Sequence, residues 1–300
     1  MDVSVLGLFV AVVRQGSFAA VARDRNIDPS SVSRAVAGLE TELGVRLFQR
    51  TTRRLSLTEA GTAYFERIEP LVEEIHQASE VAKDLSEQVQ GRLRITASVA
   101  FGLQCIVPLL PRFEGLYPEL TVDLLLTDAV VDLLSERVDV AVRLGLLTDS
   151  TLMAQRLMPV VYRVCASAEY LAAREKIRVP EDIMQCDCLL FPLEGFRSRW
   201  IFRDSVGEMS EVAVQGRTVI SNALALQRCT ISGMGVSLLP NWLVDEDIAA
   251  GRLMDVLPEY AVTATNFDTA AWFVYPSRRY VPLKVRVFMD FLKQLVGSGQ

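Results

Sequence analysis

The sequence predicts an α/β chain in three parts: a small all-α head, one long helix and a two-lobed α/β body. Three observations carry this. Residues 1–60 hold three short stretches with apolar residues at helical spacing. From Ala60 to about Glu87 a single apolar seam runs unbroken. Beyond Gln90-Gly91 the texture alternates between strand-like and helix-like runs. At 300 residues the chain exceeds one small core, and with 50% hydrophobic and 23% charged residues it reads as globular throughout.

The head comes first. Leu6, Phe9, Val10 and Val13 give the first helix its stripe, and Gln15-Gly16 ends it. Ser17 caps a second helix over about 18–25, and Asn26-Ile27 makes a turn. The third helix opens at Asp28, a capping residue, with Pro29 at its first position, and closes near Leu43-Gly44. Two helices about four residues apart have the dimension of a helix-turn-helix. In the third, Val32, Val36, Leu39 and Leu43 share one face at 100° per residue, while Ser30, Arg34, Ala37 and Thr41 share the other. Ser31 and Ser33 add hydroxyls to the leading turns. Small side chains let a helix backbone sit deep in a DNA groove, where hydroxyls reach phosphates and Arg34 reaches guanine or phosphate. The competing reading is an ordinary exposed face that happens to be rich in serine.

Next, Leu55 and Leu57 alternate with Ser56 and Thr58, suggesting a short strand whose preceding tip is Thr51-Thr52-Arg53-Arg54. Arg50, Arg53 and Arg54, with Thr52 among them, form a compact phosphate-binding group. This is the wing of a winged helix-turn-helix. The long helix after it spaces Tyr64, Ile68, Leu71, Ile75, Ala78, Ala82 and Leu85 alternately by four and three, a heptad-like seam extending about 40 Å. With no core of its own to cover that seam, the helix is expected to dimerise. Pro70 is expected to kink it. His76, the lone histidine, falls on this helix and reads as a surface or dimer-contact residue.

The body then reads strand by strand: "GRLRITAS", a proline-broken helix at "GLQCIVPLLPRFEGLYPEL", the strand "TVDLLL", a helix at "AVVDLLSERV" and the strand "DVAVRLG". A second series follows with "PVVYRVCAS", "AEYLAARE", "CLLFP", "SNALALQRCTISGMG" and "VSLLP". The strand "AAWFVYP" and a helix over 281–296 close the chain. This order predicts a parallel sheet flanked by helices in each lobe, similar to a periplasmic solute-binding fold. The expected divisions are 1–60 for the DNA-binding head, 61–90 for the linker and 91–300 for the effector domain. Lobe I would take about 91–162 and 267–300, and lobe II about 163–266.

Charge and cysteine usage set limits. The net charge of −6 is uneven: residues 1–60 carry +2 and the remainder −8, as for a DNA-binding module on an acidic body. The acidic start "MDVSVLGLFVAVVRQ" lacks the basic residues of a signal peptide, and no apolar run approaches 18 residues. A cytoplasmic, nucleoid-associated protein with no membrane partner is expected. Five scattered cysteines fit reduced thiols. An enzyme is disfavoured, since one histidine on a linker helix leaves no place for a Ser-His-Asp or Cys-His arrangement. "GMG" at 233–235 follows a helix rather than a strand, and Cys186-x-Cys188 lacks a second ligand pair for zinc. No cofactor or metal is expected.

At "GSFAAVAR" and "SSVSRAVAGLETELGVRLFQRTTRRLSLTEAG" the chain resembles the LysR-type transcriptional regulators, with further similarity at "DVAVRLGLLTDSTLMAQRL" and "ISGMGVSLLPNWLV". The resemblance implies a homodimer or homotetramer holding paired winged helices on an interrupted palindromic promoter site in double-stranded DNA. A small molecule between the lobes would alter that geometry, and RNA polymerase would be a further partner. Ser33 and Arg34 match the Ser-Arg of the family's recognition helix, and Arg53 its wing arginine. Pro29 stands where many members carry a DNA-contacting glutamine, and Arg25 where leucine is usual.

Ligands of such sheets bind beyond the carboxyl ends of strands. That selects Ser98, Val99, Ala100 and Phe101, where a hydroxyl and helix N-terminal N–H groups suit a carboxylate. Thr127, Asp128 and Arg143 follow or end the next strands. Lobe II adds Arg199, Trp200, Phe202, Ser221 and Asn222, and the return crossover adds Asn266. Together they imply a small organic anion, and Trp200, Phe101 and Phe202 suggest an aromatic one. The competing readings make the aromatics core residues and Arg143 a structural ion pair. Two other functions stand beside regulation: a binding protein without DNA activity, and a redox sensor using Cys186 and Cys188.

Overall fold

The computed structural model describes residues 2–50, 55–84, 88–145, 152–276 and 280–296. It divides into two compact units, Met1–Val89 with two short later segments, and a larger unit from Gln90 onward.

In the first unit, α1 (Val3–Gln15), α2 (Phe18–Asp24) and α3 (Pro29–Leu43) start where the sequence places caps. The Asp2, Ser17 and Asp28 side chains accept from the amides of Ser4, Ala20 and Ser30 at 2.8, 3.2 and 2.7 Å. Gly44 ends α3 at φ 69°, a left-handed turn that a Cβ would strain. Strands β1 (Phe48–Arg50) and β2 (Leu55–Leu57) pair antiparallel, and α4 (Glu59–Asp84) runs on through Pro70. Phe9 is the hub of the core: its ring centroid lies 5.6 Å from those of Phe48 and Tyr64 and 6.4 Å from that of Phe65.

The seam of α4 divides. Tyr64 and Ile68 pack onto the head's core, so part of the seam expected to lack a core has one. Leu71, Ile75 and Ala78 are exposed. The side chains of His76 and Ala82, and all of Leu85, lie outside the described residues.

The second unit holds two sheets. Lobe I orders its strands β4-β3-β5-β15-β6, from β3 (Gly91–Ala97), β4 (Leu120–Leu126), β5 (Val140–Gly145), β6 (Met153–Pro159) and β15 (Ala270–Tyr275). The three N-terminal strands run parallel as expected, but β15 pairs antiparallel with both β5 and β6. The chain enters this sheet twice, and its return reverses direction. Helix α5 (Val99–Phe101), a π turn (Gly102–Ile106), a 3-10 turn (Val107–Leu109) and α6 (Leu110–Leu116) form one helical run. Pro108 and Pro111 each lack an amide to donate, which accounts for the change of pitch. By length and composition this run could span a membrane, contrary to the expectation of no such stretch. Here it buries Phe101, Ile106 and Phe113 in the domain. Phe113 stacks against Phe288 and Phe291 of the C-terminal helix at 5.5 and 5.1 Å.

The predicted helix at 129–138 is instead a hydrogen-bonded turn, closed by the Val138 amide on the Leu133 carbonyl at 2.8 Å. Its apolar pattern buries Leu133 and Val138 without helical pitch.

Lobe II comprises β7 (Tyr162–Ala166), α7 (Ala168–Ala172), β8 (Cys188–Leu190), β9 (Arg199–Arg203), β10 (Met209–Ala213), β11 (Thr218–Val219), α8 (Ala223–Ile231), β12 (Val236–Pro240), α9 (Asn241–Ala249), β13 (Met254–Asp255) and β14 (Ala261–Thr263). Its strand order is β10-β9-β14-β7-β12-β8-β11, parallel only at β11-β8-β12. Tyr162 opens the lobe II sheet, one residue before the expected division. The C-terminal helix, α10 (Leu283–Val296), returns to lobe I through Phe113.

Candidate nucleic-acid interface and effector cleft

The third helix sorts its faces as its periodicity requires. Val32, Val36 and Leu39 are buried and Leu43 is half-buried, while Ser30, Arg34 and Thr41 are exposed and Ser31, Ser33 and Ala37 are half-buried. Arg34 folds back over its own first turn. Its Nε donates to the Ser30 carbonyl at 3.3 Å, and its Nη2 to the Ser30 and Ser31 hydroxyls at 3.4 and 3.3 Å. These are long bonds in water, which a guanine edge or a phosphate can replace with shorter ones. The Thr41 hydroxyl donates to the Ala37 carbonyl at 2.9 Å. Hydrogen bonds from Ser30 hold the Asp28 carboxyl below the ordinary aspartate range, keeping the cap charged.

The wing is fastened to this helix by a residue that periodicity did not single out. Glu40 Oε1 accepts from the amides of Leu47 at 2.8 Å and Phe48 at 3.1 Å, tying α3 to the start of β1. At the other strand's end the Thr58 hydroxyl accepts from the Gly61 amide at 2.9 Å and donates to the Arg46 carbonyl at 2.6 Å. A Cβ on Gly61 would sit 2.0 Å from the Leu47 carbonyl oxygen, so only glycine permits this approach. The sequence "TEAG" is the readable trace of that junction. Arg50 ends β1 with its side chain outside the description, and Thr52, Arg53 and Arg54 lie outside the described residues.

In the body, the structure separates the nominated effector residues into two groups. Ser98, Val99, Phe101, Asp128 and Asn222 come together where the lobes meet. The Val99 amide donates to Asp128 Oδ1 at 3.0 Å, and Asn222 Nδ2 donates to Asp128 Oδ2 at 3.1 Å. Asn222 also caps α8, accepting from the Ala225 amide at 3.1 Å. Phe101 meets Trp242 of α9 edge-on at 5.2 Å. Thr127 accepts locally from the Ala129 amide at 3.2 Å, Ala100 is buried beside Phe101, and Ser221 is exposed before α8. Asn266 does lie in the return crossover, but its side chain closes a local turn on the Asp268 amide at 3.0 Å.

The remaining nominations fall elsewhere. Trp200 and Phe202 are 1% and 0% exposed within the lobe II core, so their rings are unavailable as an open cleft wall. Strand alternation explains this, since both side chains face inward from β9. Arg199, on the opposite face, pairs with Glu211 of the neighbouring strand at 2.8 Å. Arg143 donates to the Val131 carbonyl at 3.0 Å, and burial lowers its pKa. The seat expected for an effector carboxylate, the Val99 amide, already holds the carboxylate of Asp128.

Asn241 escaped the sequence reading. Its amide donates to the Val161 carbonyl at 2.7 Å, and its side-chain oxygen accepts from the Val161 amide at 3.1 Å. One residue back, Val160 and Thr269 bond across the two crossover segments, amide to carbonyl at 2.9 Å and hydroxyl to carbonyl at 3.2 Å. These four bonds tie the two crossover segments to each other and to the start of α9.

Comparison with known proteins matches both units. Residues 4–62 fit the model of the bacterial regulatory helix-turn-helix proteins of the lysR family, and residues 86–297 fit the LysR substrate binding domain. The HTH-type transcriptional regulator CrgA of Neisseria meningitidis is 36% identical over 294 residues, 98% of this chain and 97% of that protein. PtxR of Pseudomonas aeruginosa, also an HTH-type transcriptional regulator, is 33% identical over 297 residues, covering 99% and 94%. The solved structure of CrgA from Neisseria meningitidis, described as a LysR-type transcriptional regulator, matches with a TM-score of 0.61 at 35% identity, covering 99% of each chain.

Proposed function

This chain belongs to the LysR family of transcriptional regulators, and from that premise we propose that it acts in the cytoplasm as a homodimer or homotetramer on an interrupted palindromic promoter site. Each head lays α3 in a major groove, with Arg34 reading a base edge and the hydroxyls of Ser30 and Ser33 reaching phosphates. The exposed pair Leu71 and Ile75 on α4 supports pairing of two chains. A small organic effector between the lobes changes their angle, and through the oligomer the spacing of the heads. RNA polymerase is the downstream partner. The reading includes no catalytic step and no cofactor, in keeping with relatives named as regulators.

The observation that carries the proposal is the exposed, small and polar face of α3 bearing one cation, Arg34. A gel-shift titration on the promoter region beside the protein's own gene tests it. Binding should be tighter there than on random duplex by roughly a thousandfold or more and should weaken steeply with salt. Equal affinity for both duplexes would overturn it.

A further inference from the structure

Resting on the reading of the interlobe cleft as an effector site, we propose that the cleft takes a small ammonium-bearing molecule, with Asp128 as its counter-charge, rather than an organic anion. Asp128 is exposed between the lobes, and among the described residues its carboxylate accepts from two neutral donors, the Val99 amide and the Asn222 side chain. Among the described residues no lysine or arginine pairs with it. A carboxylate has about four lone-pair sites, and these two bonds leave room for further donors. An incoming carboxylate would meet like charge here, whereas an ammonium completes an ion pair.

Two further atoms point to a polar ligand. The Ser98 hydroxyl and the Trp242 indole N–H are both buried without a hydrogen-bond partner. Ser98 precedes the Val99 amide that holds Asp128, and Trp242 packs on Phe101 one turn along the same helical run. Buried polar atoms left unpaired are uncommon, and such groups await a partner. The Trp242 N–H suits an acceptor on the ligand, and the Ser98 hydroxyl can serve as donor or acceptor. Of the cations nominated to anchor an anion, Arg199 already pairs with Glu211. The net charge of −8 beyond residue 60 also draws cations toward the body and repels anions.

The test uses the full chain and three probes of one shape: benzylammonium, benzyl alcohol and benzoate. The readout is the indole N–H resonance of Trp242, assigned with Trp242→Phe, at constant ionic strength and up to about 50 mM probe. Benzylammonium should shift that resonance in the wild type and bind at least roughly tenfold more weakly to Asp128→Asn. The inference is overturned if benzoate binds the wild type as tightly as benzylammonium, or if Asp128→Asn leaves the ammonium response unchanged. It is equally overturned if no probe moves the resonance. A gel shift on the same preparation separates the two ideas: DNA binding with a silent cleft defeats only the ligand assignment, whereas loss of promoter selectivity defeats the regulatory reading.

Discussion

The guanidinium of Arg25 lies against the backbone of Gly7: Nη2 donates to the Gly7 carbonyl at 3.2 Å, and a Cβ on Gly7 would stand 3.6 Å from the same nitrogen. Arg25 therefore packs its stem into the head and turns its charge back onto α1. Burial, more than any neighbouring charge, lowers its pKa, and its Nε is buried without a partner. Arg25→Leu is expected to stabilise the head by about 1 kcal/mol, because it removes an incompletely satisfied buried cation. Urea unfolding followed by far-UV circular dichroism measures this. All three tryptophans lie in the body, so their fluorescence should not change. A loss of stability would show that the Gly7 bond outweighs the desolvation.

Arg34 and the wing arginines should separate in their effects. Arg34→Ala is expected to cost about 1–3 kcal/mol on the preferred site and to relax sequence preference. Arg53→Ala should weaken specific and random DNA alike and lower the salt slope by about one. Fluorescence anisotropy at several salt concentrations distinguishes the two. Equal losses on both duplexes for Arg34→Ala would remove it from base readout.

Leu71 and Ile75 are 52% and 42% exposed on a helix whose earlier turns are covered by the head. Leu71→Asp with Ile75→Asp should yield a monomer by sedimentation while leaving the head folded. Promoter affinity should fall by an order of magnitude or more, since the two half-sites are no longer linked. A dimer that survives both charges would place the pairing surface elsewhere.

Asn241→Ala removes the side-chain acceptor for the Val161 amide in the crossover between the lobes. A cost of about 1–2 kcal/mol is expected, read as an earlier loss of tryptophan fluorescence while the head's circular dichroism transition holds. An unchanged transition would mean that the crossover segments are held by the Val160–Thr269 pair alone.

The thiols of Cys105, Cys165, Cys186 and Cys188 should be unreactive. Burial pushes Cys105 and Cys188 up to about 12, and also raises Cys165 and Cys186. A raised thiol pKa favours the neutral form in the fold. The stability it contributes is complete below the ordinary value of 9.0 and is lost as pH climbs toward 12. At pH 8, iodoacetamide should label Cys186 and Cys188 far more slowly in the native chain than in urea, as read by mass spectrometry. Cys186→Ser with Cys188→Ser should leave the peroxide response of DNA binding unchanged. A difference would revive the redox alternative.

Legibility followed the range of the forces involved. The caps at Asp2, Ser17 and Asp28 and the buried stripe of α3 were readable because capping and helical periodicity are local. The short strand before α4 was readable for the same reason. What escaped depends on distant partners. The reversal of β15 against β5 is decided by where the chain re-enters lobe I. Trp200 and Phe202 looked like cleft aromatics because neither side of β9 is marked in the sequence as inward. Asp128, nominated alongside Val99 and Asn222, does bond to both, and its carboxylate occupies the seat meant for a ligand. Strand ends locate a cleft, but they do not reveal which of its polar groups satisfy one another.

Because a single carboxylate oxygen of Glu40 holds the amides of both Leu47 and Phe48, the recognition helix and the base of the wing form one fixed gauge. In the proposed complex, the spacing between the recognition helix and the base of the wing would be set within each chain. In the oligomer proposed above, a mismatched operator would then be accommodated by curvature of the duplex or by the distance between the paired chains. Operators that bend easily at their centre would be favoured even where no side chain touches the bases.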